Sequence, residues 1–222
     1  MKHIVVDLEM NTLAKQFKEE KSICGSEIIQ IGAVLLDENY QEIGSFHTLV
    51  RPQYNNRIEK RIERLTGIKT EMVQNSPVFE EAIQQFFSWC NSQNDDILIY
   101  QWSESDCIQI TKELQLKKIQ LNEKNQELLQ KFQDFQKEYR DTLGVPRALS
   151  LKDAVMYAGV DFQGRAHNAL YDAENTAVLL RIIRDPNLCK NALEHVIEAF
   201  APKPFGTSLG DLIHFEEFDI PA

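Results

Sequence analysis

The sequence predicts an α/β domain built on a mixed sheet, because its strand and helix patterns follow one another in an order typical of that fold class. Three strand patterns come first, helical patterns follow, and one more strand precedes the last helices. Short turns join the opening strands, so we expect antiparallel pairing, whereas the later strand returns through a helical crossover and should lie parallel to the first. The length of 222 residues, with 43% hydrophobic and 26% charged residues, suits one enlarged globular domain.

The strand patterns are short apolar runs rich in β-branched residues. They cover residues 3–8, 27–36, 42–50 and 96–102. The polar residues 37–39 turn the chain between the second and third, which predicts a β-hairpin. Arg51-Pro52 ends the hairpin, since proline cannot continue a paired interior strand.

Helical periodicity and capping residues predict the remaining elements. The expected helices cover residues 57–65, 78–90, 106–114, 117–143, 150–159 and 168–184. The segment 117–143 is amphipathic and unusually long, and a short strand within it remains an open alternative. We expect one domain over residues 1–200 and an acidic tail over 201–222 that packs on or near it.

The charge of the chain is acidic but uneven. Its 24 Lys and Arg against 34 Asp and Glu give a net charge of −10, the wrong sign for binding nucleic acid by bulk electrostatics. An acidic cluster can nevertheless hold divalent cations, which then supply the positive charge. Residues 51–69 carry six basic and two acidic side chains, so this stretch is either a phosphate-facing rim or a solvated helix face.

The sequence also predicts the cellular compartment. Its four cysteines stand singly, without a CxxC pair or zinc spacing, which is typical of the reducing cytosol. No run of 18 uncharged apolar residues occurs, and the first residues lack a signal-peptide pattern. We therefore expect a cytoplasmic protein that has no membrane partner.

Titratable residues recur near the ends of the strand patterns. Asp7 and Glu9 are two residues apart on the first strand and so point to the same side, where paired carboxylates suit a hard divalent ion. Asp106 follows the fourth strand, with Glu104 as a competing candidate. His167 and Asp172 are five residues apart, so the histidine should precede the last predicted helix and the aspartate should lie in its early turns.

This ordered set resembles the DEDDh family of 3′–5′ exonucleases, which includes DnaQ and RNase T and has an RNase H-like fold. The family's three motifs match residues 5–9, Asp106 and residues 167–173. Flanking residues 28–34, 46–52 and 65–68 are also similar, and the resemblance runs from about residue 3 to 183. The sequence looks most like the Eri-type and KapD-like branch, whose members act on RNA where this is known. Gln30 stands where relatives often carry Glu, a departure that we expect to matter little.

The resemblance implies a two-metal active site with a five-stranded sheet beneath it. Two Mg²⁺ or Mn²⁺ ions would be held by Asp7, Glu9, Asp106 and Asp172. His167 would accept the proton of the attacking water, and Glu9 would touch both ions. Contacts to the substrate would come from Met10, Asn11, Thr12, Leu65, His47 and Arg165.

The expected activity is removal of nucleoside 5′-monophosphates from single-stranded 3′ ends, with RNA favoured over DNA. The alternative is a catalytically silent scaffold of the same fold that binds RNA or a protein. For Met10–Thr12 and Leu65, simple core packing remains equally open. The segment 117–137 is either a solvated amphipathic helix, which we favour, or a contact surface of its own.

Overall fold

One mixed sheet organises the part of the chain that the computed structural model describes, residues 1–55, 57–93 and 96–200. Its strands are β1 (Lys2–Thr12), β2 (Ser26–Leu36), β3 (Glu42–Leu49), β4 (Ile97–Gln101) and β5 (Phe132–Asp134). They lie in the order β3-β2-β1-β4-β5. β1, β2 and β3 pair antiparallel, and β4 and β5 run parallel to β1, which confirms the predicted mixed sheet. The expected tail, 201–222, lies outside the described residues.

Helices cover both faces of the sheet. They are α1 (Lys18–Ile23), α2 (Lys60–Thr66), α3 (Thr70–Val73), α4 (Phe79–Asn91), α5 (Ser105–Leu116), α6 (Glu123–Leu129), α7 (Phe135–Leu143), α8 (Leu151–Tyr157), α9 (Ala169–Arg184) and α10 (Pro186–Phe200). One apolar core lies between α4, α5 and one face of the sheet. A second core lies between the other face and the four helices α7, α8, α9 and α10. Among the described residues, none of these helices is long and apolar enough to span a bilayer.

The described residues differ from the pattern expected of the sequence at the short helix α3, which is not among the expected helices, and at three further segments. The long helix over 117–143 is interrupted, because Phe132–Asp134 pairs with β4 and divides it into α6 and α7. α1 is also not among the expected helices, because it buries no side chain and so has no apolar periodicity to reveal it. α10 begins at Pro186 and is not among the expected helices; it packs against α9 through Ala192 and Val196.

β1 is buried on both faces, and its side chains alternate between the two cores. Ile4, Val6 and Leu8 belong to the core beneath α4. Val5 belongs to the core beneath α9. Side chains alternate along a strand, so Asp7 and Glu9, two and four residues further along β1, also face α9. The acidic residues of β1 therefore point towards the start of α9.

α9 approaches the sheet closely because β2 carries a glycine at the crossing point. Gly32 pairs with Asp7 of β1, and a Cβ atom at this position would collide with the backbone of Ala169 and Leu170. The backbone N–H of Ala169 also donates to Oε1 of Gln30, at 3.1 Å. Close packing and this hydrogen bond fix the first turn of α9 beside the acidic end of β1.

Candidate active site

β1 supplies two carboxylates at a point where its neighbouring strand has already ended. β4 pairs with β1 only from Lys2 to Val6, so the backbone beyond is open on that side. Asp7 and Glu9 follow directly, on the face that α9 covers, and Glu9 is 8% exposed. The next backbone N–H that points towards the missing strand is that of Leu8, and it donates to the carboxylate of Asp106.

The start of α5 places the third carboxylate. The side chain of Gln101 accepts a hydrogen bond from the backbone N–H of Cys107, at 2.8 Å, and so fixes the first turn of α5 to the end of β4. Asp106, in this turn, is 3% exposed and lies close enough to Asp7 to raise the pKa of that carboxyl, while Glu9 raises the pKa of Asp106. Glu104 is exposed at the N-cap. Of the two acids that the sequence offered, the structure brings Asp106 to the site.

The loop before α9 and its first turn place the histidine and the fourth carboxylate. His167 has a left-handed backbone (φ 62°), and its N–H donates to Oδ2 of Asp172, at 3.0 Å. Asn168 caps the helix by accepting from the N–H of Tyr171. Ligand atoms of Glu9, His167 and Asp172 lie within 4.8 Å of one another. As predicted, His167 precedes the helix and Asp172 lies in its first turn.

The carboxylates raise one another's pKa, and burial raises them further. Burial lifts the pKa of Glu9 to about 8, with a contribution from Asp172. Burial lifts the pKa of Asp172 to about 6, opposed by the His167 N–H. The pKa values of Asp7 and Asp106 are well above the usual range, mainly through burial and then through the neighbouring acids. Such a cluster needs cations to be ionised at neutral pH.

One carboxylate oxygen of Asp172 lacks a hydrogen-bond partner among the described residues. This atom, Oδ1, is buried. A buried unpaired oxygen is costly unless an ion or water satisfies it. The residues present therefore fit a divalent metal, for which carboxylate oxygens are the preferred ligands.

Arg165 joins the histidine loop to the end of α2. Its guanidinium donates to the backbone oxygens of Arg64, at 3.0 Å, and Leu65, at 3.4 Å. Gly67 ends α2 in a left-handed conformation (φ 79°), and a Cβ atom there would collide with the Arg165 guanidinium. The exposed His167 ring has a lowered pKa, because it is partly desolvated and lies near the charge of Arg165.

The other predicted substrate contacts differ in how accessible they are. Leu65 is 41% exposed, whereas Met10 and Thr12 are half-buried. Asn11 is fully buried, and its amide accepts from the N–H of Glu59 and donates to the oxygen of Arg57. The side chain of Asn11 is thus used inside the fold, where it ties β1 to the chain entering α2.

Gln30 is a residue whose importance the sequence did not reveal. It is 2% exposed, and its Nε2 donates to Nε2 of His47, at 2.7 Å, while its Oε1 accepts from Ala169. A glutamate could accept from Ala169 but could not donate to a neutral histidine. The amide therefore links exposed His47 to the start of α9, and the departure that we expected to matter little has a structural role.

Comparisons with known proteins agree with this geometry. The family model described as RNase_T, an exonuclease family, matches residues 4–180. ERI1 exoribonuclease 2 of Mus musculus is 28% identical over 93% of this chain and 32% of its own length. The 3′-5′ exoribonuclease 1 of Rattus norvegicus is 27% identical over 72% of this chain and 47% of its own. This chain thus spans about a third of the first relative's length and about half of the second's.

A solved structure shares the fold. The nuclease domain of 3′hExo, described as a DEDDh family member bound to rAMP, superposes with a TM-score of 0.72 at 22% identity. The superposition covers 83% of this chain and 92% of that domain. The predicted RNase H-like arrangement of a five-stranded sheet between helices is confirmed.

Proposed function

The chain belongs to the RNase_T exonuclease family, and from this premise we propose that it removes nucleoside 5′-monophosphates from the 3′ ends of single-stranded nucleic acid. One observation carries the proposal: four carboxylates with raised pKa values, three of them buried and Asp7 half-buried, converge beside an exposed histidine. The names of the exoribonuclease relatives favour RNA over DNA as the substrate.

We assign the metal site to the four carboxylates. Asp7, Glu9, Asp106 and Asp172 would hold two Mg²⁺ or Mn²⁺ ions, and the unpaired Oδ1 of Asp172 supports this assignment. When bound, such ions activate water and neutralise the charge that develops on the phosphate. The carboxylates themselves fix where the ions sit, because they come from three rigidly packed elements, β1, α5 and α9.

His167 would act as the general base. Its lowered pKa keeps the ring neutral at pH 7, so that it can accept a proton from the attacking water. Its backbone is held by Asp172, which ties the base to a proposed metal ligand. The ring itself is exposed and can reach a bound substrate.

The substrate end would lie between β1 and the end of α2. Leu65 presents an exposed apolar side chain there, and Arg165 holds its backbone. Met10 and Thr12 flank the same region after Glu9. We propose that these side chains pack against the terminal base and sugar. His47, which lies on β3 opposite Gly32 of β2, would make a polar contact with the substrate.

A gel time course with a 5′-labelled single-stranded RNA and the matching DNA tests the proposal. With Mn²⁺, we expect a ladder that shortens from the 3′ end, is abolished by EDTA, and is faster on RNA. Asp106→Asn should lower the rate by at least about 100-fold, whereas the matched control Glu104→Gln, an exposed acid two residues away, should not.

Two results would contradict the proposal. If neither nucleic acid is shortened and Mn²⁺ does not raise the melting temperature, the chain is a scaffold rather than a nuclease. If Asp106→Asn digests as fast as Glu104→Gln, the assignment of the metal ligands is wrong.

A further inference from the structure

Two neighbouring cavities flank the chain between β3 and α2. The first, about 300 Å³, is lined by Phe17, Tyr54 and Arg57 among others. The second, about 240 Å³, includes Arg51 and Thr70 in its lining, and it also reaches Arg57. Both cavities share the residues Asn55, Arg57 and Ile58, so they form a single surface feature, the 55–58 cleft.

The 55–58 cleft adjoins the end of β1, the strand that carries two of the candidate active-site carboxylates. The Asn55 side chain donates to the backbone oxygen of Thr12, at 2.6 Å, three residues beyond Glu9 on β1. At the other side, α2 begins directly after Glu59, which lines the cleft, and ends where Arg165 holds Leu65. A helix of this length spans about 10 Å, so the cleft lies roughly one helix length from the histidine loop.

The chemistry of the cleft suits a nucleotide. Phe17 and Tyr54 are half-buried, with ring centroids 5.6 Å apart and ring planes at 71°. Partly exposed aromatic rings offer a stacking surface to any base. Arg51 and Arg57 are exposed, and neither forms an ion pair with a described residue. Guanidinium groups bind phosphate with two parallel hydrogen bonds.

The charge around the cleft departs from that of the rest of the molecule. The chain carries a net charge of −10, yet residues 51–69 contain six basic and two acidic side chains. The structure places this stretch at the cleft and along α2, beside the proposed path of the substrate. The sequence left open a phosphate-facing rim or a solvated face, and the two arginine-lined cavities favour the rim.

We propose that the 55–58 cleft binds an upstream nucleotide of the single strand whose 3′ end lies in the active site. The base stacks on Phe17 and Tyr54, and the adjoining phosphate lies between Arg51 and Arg57. This inference rests on the proposed exonuclease function and adds a second point of attachment to it. It predicts that affinity grows once a strand is long enough to reach from the histidine loop to the cleft.

The test compares strands of different length. The kcat/KM of a ten-nucleotide RNA is divided by that of a dinucleotide, for the parent, for Arg51→Gln/Arg57→Gln and for Phe17→Leu. Removing the stacking of one base or the binding of its phosphate should lower this ratio about 5- to 150-fold. The matched control, Lys124→Gln/Lys131→Gln, removes two cations from a cavity at the opposite end of the sheet and should leave the ratio unchanged.

Equilibrium binding separates this inference from the proposed function. Fluorescence anisotropy with a labelled ten-nucleotide RNA in EDTA needs no cleavage. The arginine variant should weaken binding and reduce the slope of log K against log salt by about 0.7 for each phosphate that is no longer neutralised. If both arginine and phenylalanine variants match the lysine control in ratio and in binding, the inference is wrong, even if the parent is an active nuclease. If they bind weakly while the parent cleaves nothing, the cleft stands and the proposed reaction fails.

Discussion

Replacement of Gly32 by alanine should disable the site without touching any of its polar groups. A Cβ atom at Gly32 would lie 2.6 Å from the carbonyl oxygen of Ala169 and closer still to two other backbone atoms. Ordinary contacts between such atoms are about 3.5 Å, so the start of α9 must retreat by roughly 1 Å. Asp172 lies in that first turn and moves with it.

The magnitude follows from this displacement. Overpacking of this kind costs about 1–3 kcal/mol of the free energy of unfolding, which a typical domain tolerates. A misplacement of about 1 Å in a catalytic group can lower the rate about 100-fold. We therefore expect kcat/KM on a labelled RNA to fall about 100-fold while urea unfolding still shows one cooperative transition.

Gly44→Ala is the matched control. Gly44 lies on β3 of the same sheet, and no described atom lies within 4 Å of the Cβ that alanine would add. Its activity should equal that of the parent. If Gly32→Ala is as active as Gly44→Ala, the close approach of α9 does not position Asp172 and the reasoning fails.

Three further predictions concern titration and hydrogen bonding. The pKa of Glu9 is about 8 when folded and 4.5 in its ordinary state, so its contribution to the free energy of unfolding is complete below pH 4.5 and lost as the pH rises through 8. In EDTA the melting temperature should therefore fall over this range, and Mg²⁺ at pH 8 should restore it. Partial desolvation and then the charge of Arg165 lower the pKa of His167, so the acid limb of kcat/KM should have its midpoint below 6.5, and Arg165→Gln should move it upward. Gln30→Glu replaces a donor to His47 with a carboxylate, so the pKa of that histidine, which is lowered in the parent, should rise in an NMR titration.

Each of these has an outcome that contradicts it. A melting temperature in EDTA that is flat from pH 5 to about 8 would mean that Glu9 is not held in a buried acidic cluster. An acid limb that stays in place in Arg165→Gln would remove the charge of Arg165 as a cause. An unchanged titration of His47 in Gln30→Glu would show that the two side chains do not pair in solution.

The sequence predicted those parts of the site that follow from local periodicity. Alternation along β1 is enough to place Asp7 and Glu9 on one side, and the five-residue spacing from His167 is enough to place Asp172 in the early turns of α9. Neither step needs information about distant parts of the chain. The mixed sheet was predictable for the same reason, since it depends on the order of patterns.

What the sequence could not predict depends on contacts between distant segments. The choice of Asp106 over Glu104 needed the position of Leu8, almost a hundred residues earlier. The role of Gln30 depends on Ala169 on α9, which no local pattern links to it. β5 has three residues, too few for alternation to distinguish a strand from the amphipathic helices on either side.

The short reach of β4 has a consequence for how this chain tolerates change. β4 ends opposite Val6. The N–H of Leu8, which would pair with a longer β4, donates instead to the Asp106 carboxylate. An insertion that extended β4 by two residues would add regular sheet pairing, and this pairing would displace the Asp106 carboxylate from the N–H of Leu8. A more complete sheet would therefore be a poorer enzyme, and selection for activity should preserve this strand's length more strictly than the identity of its side chains.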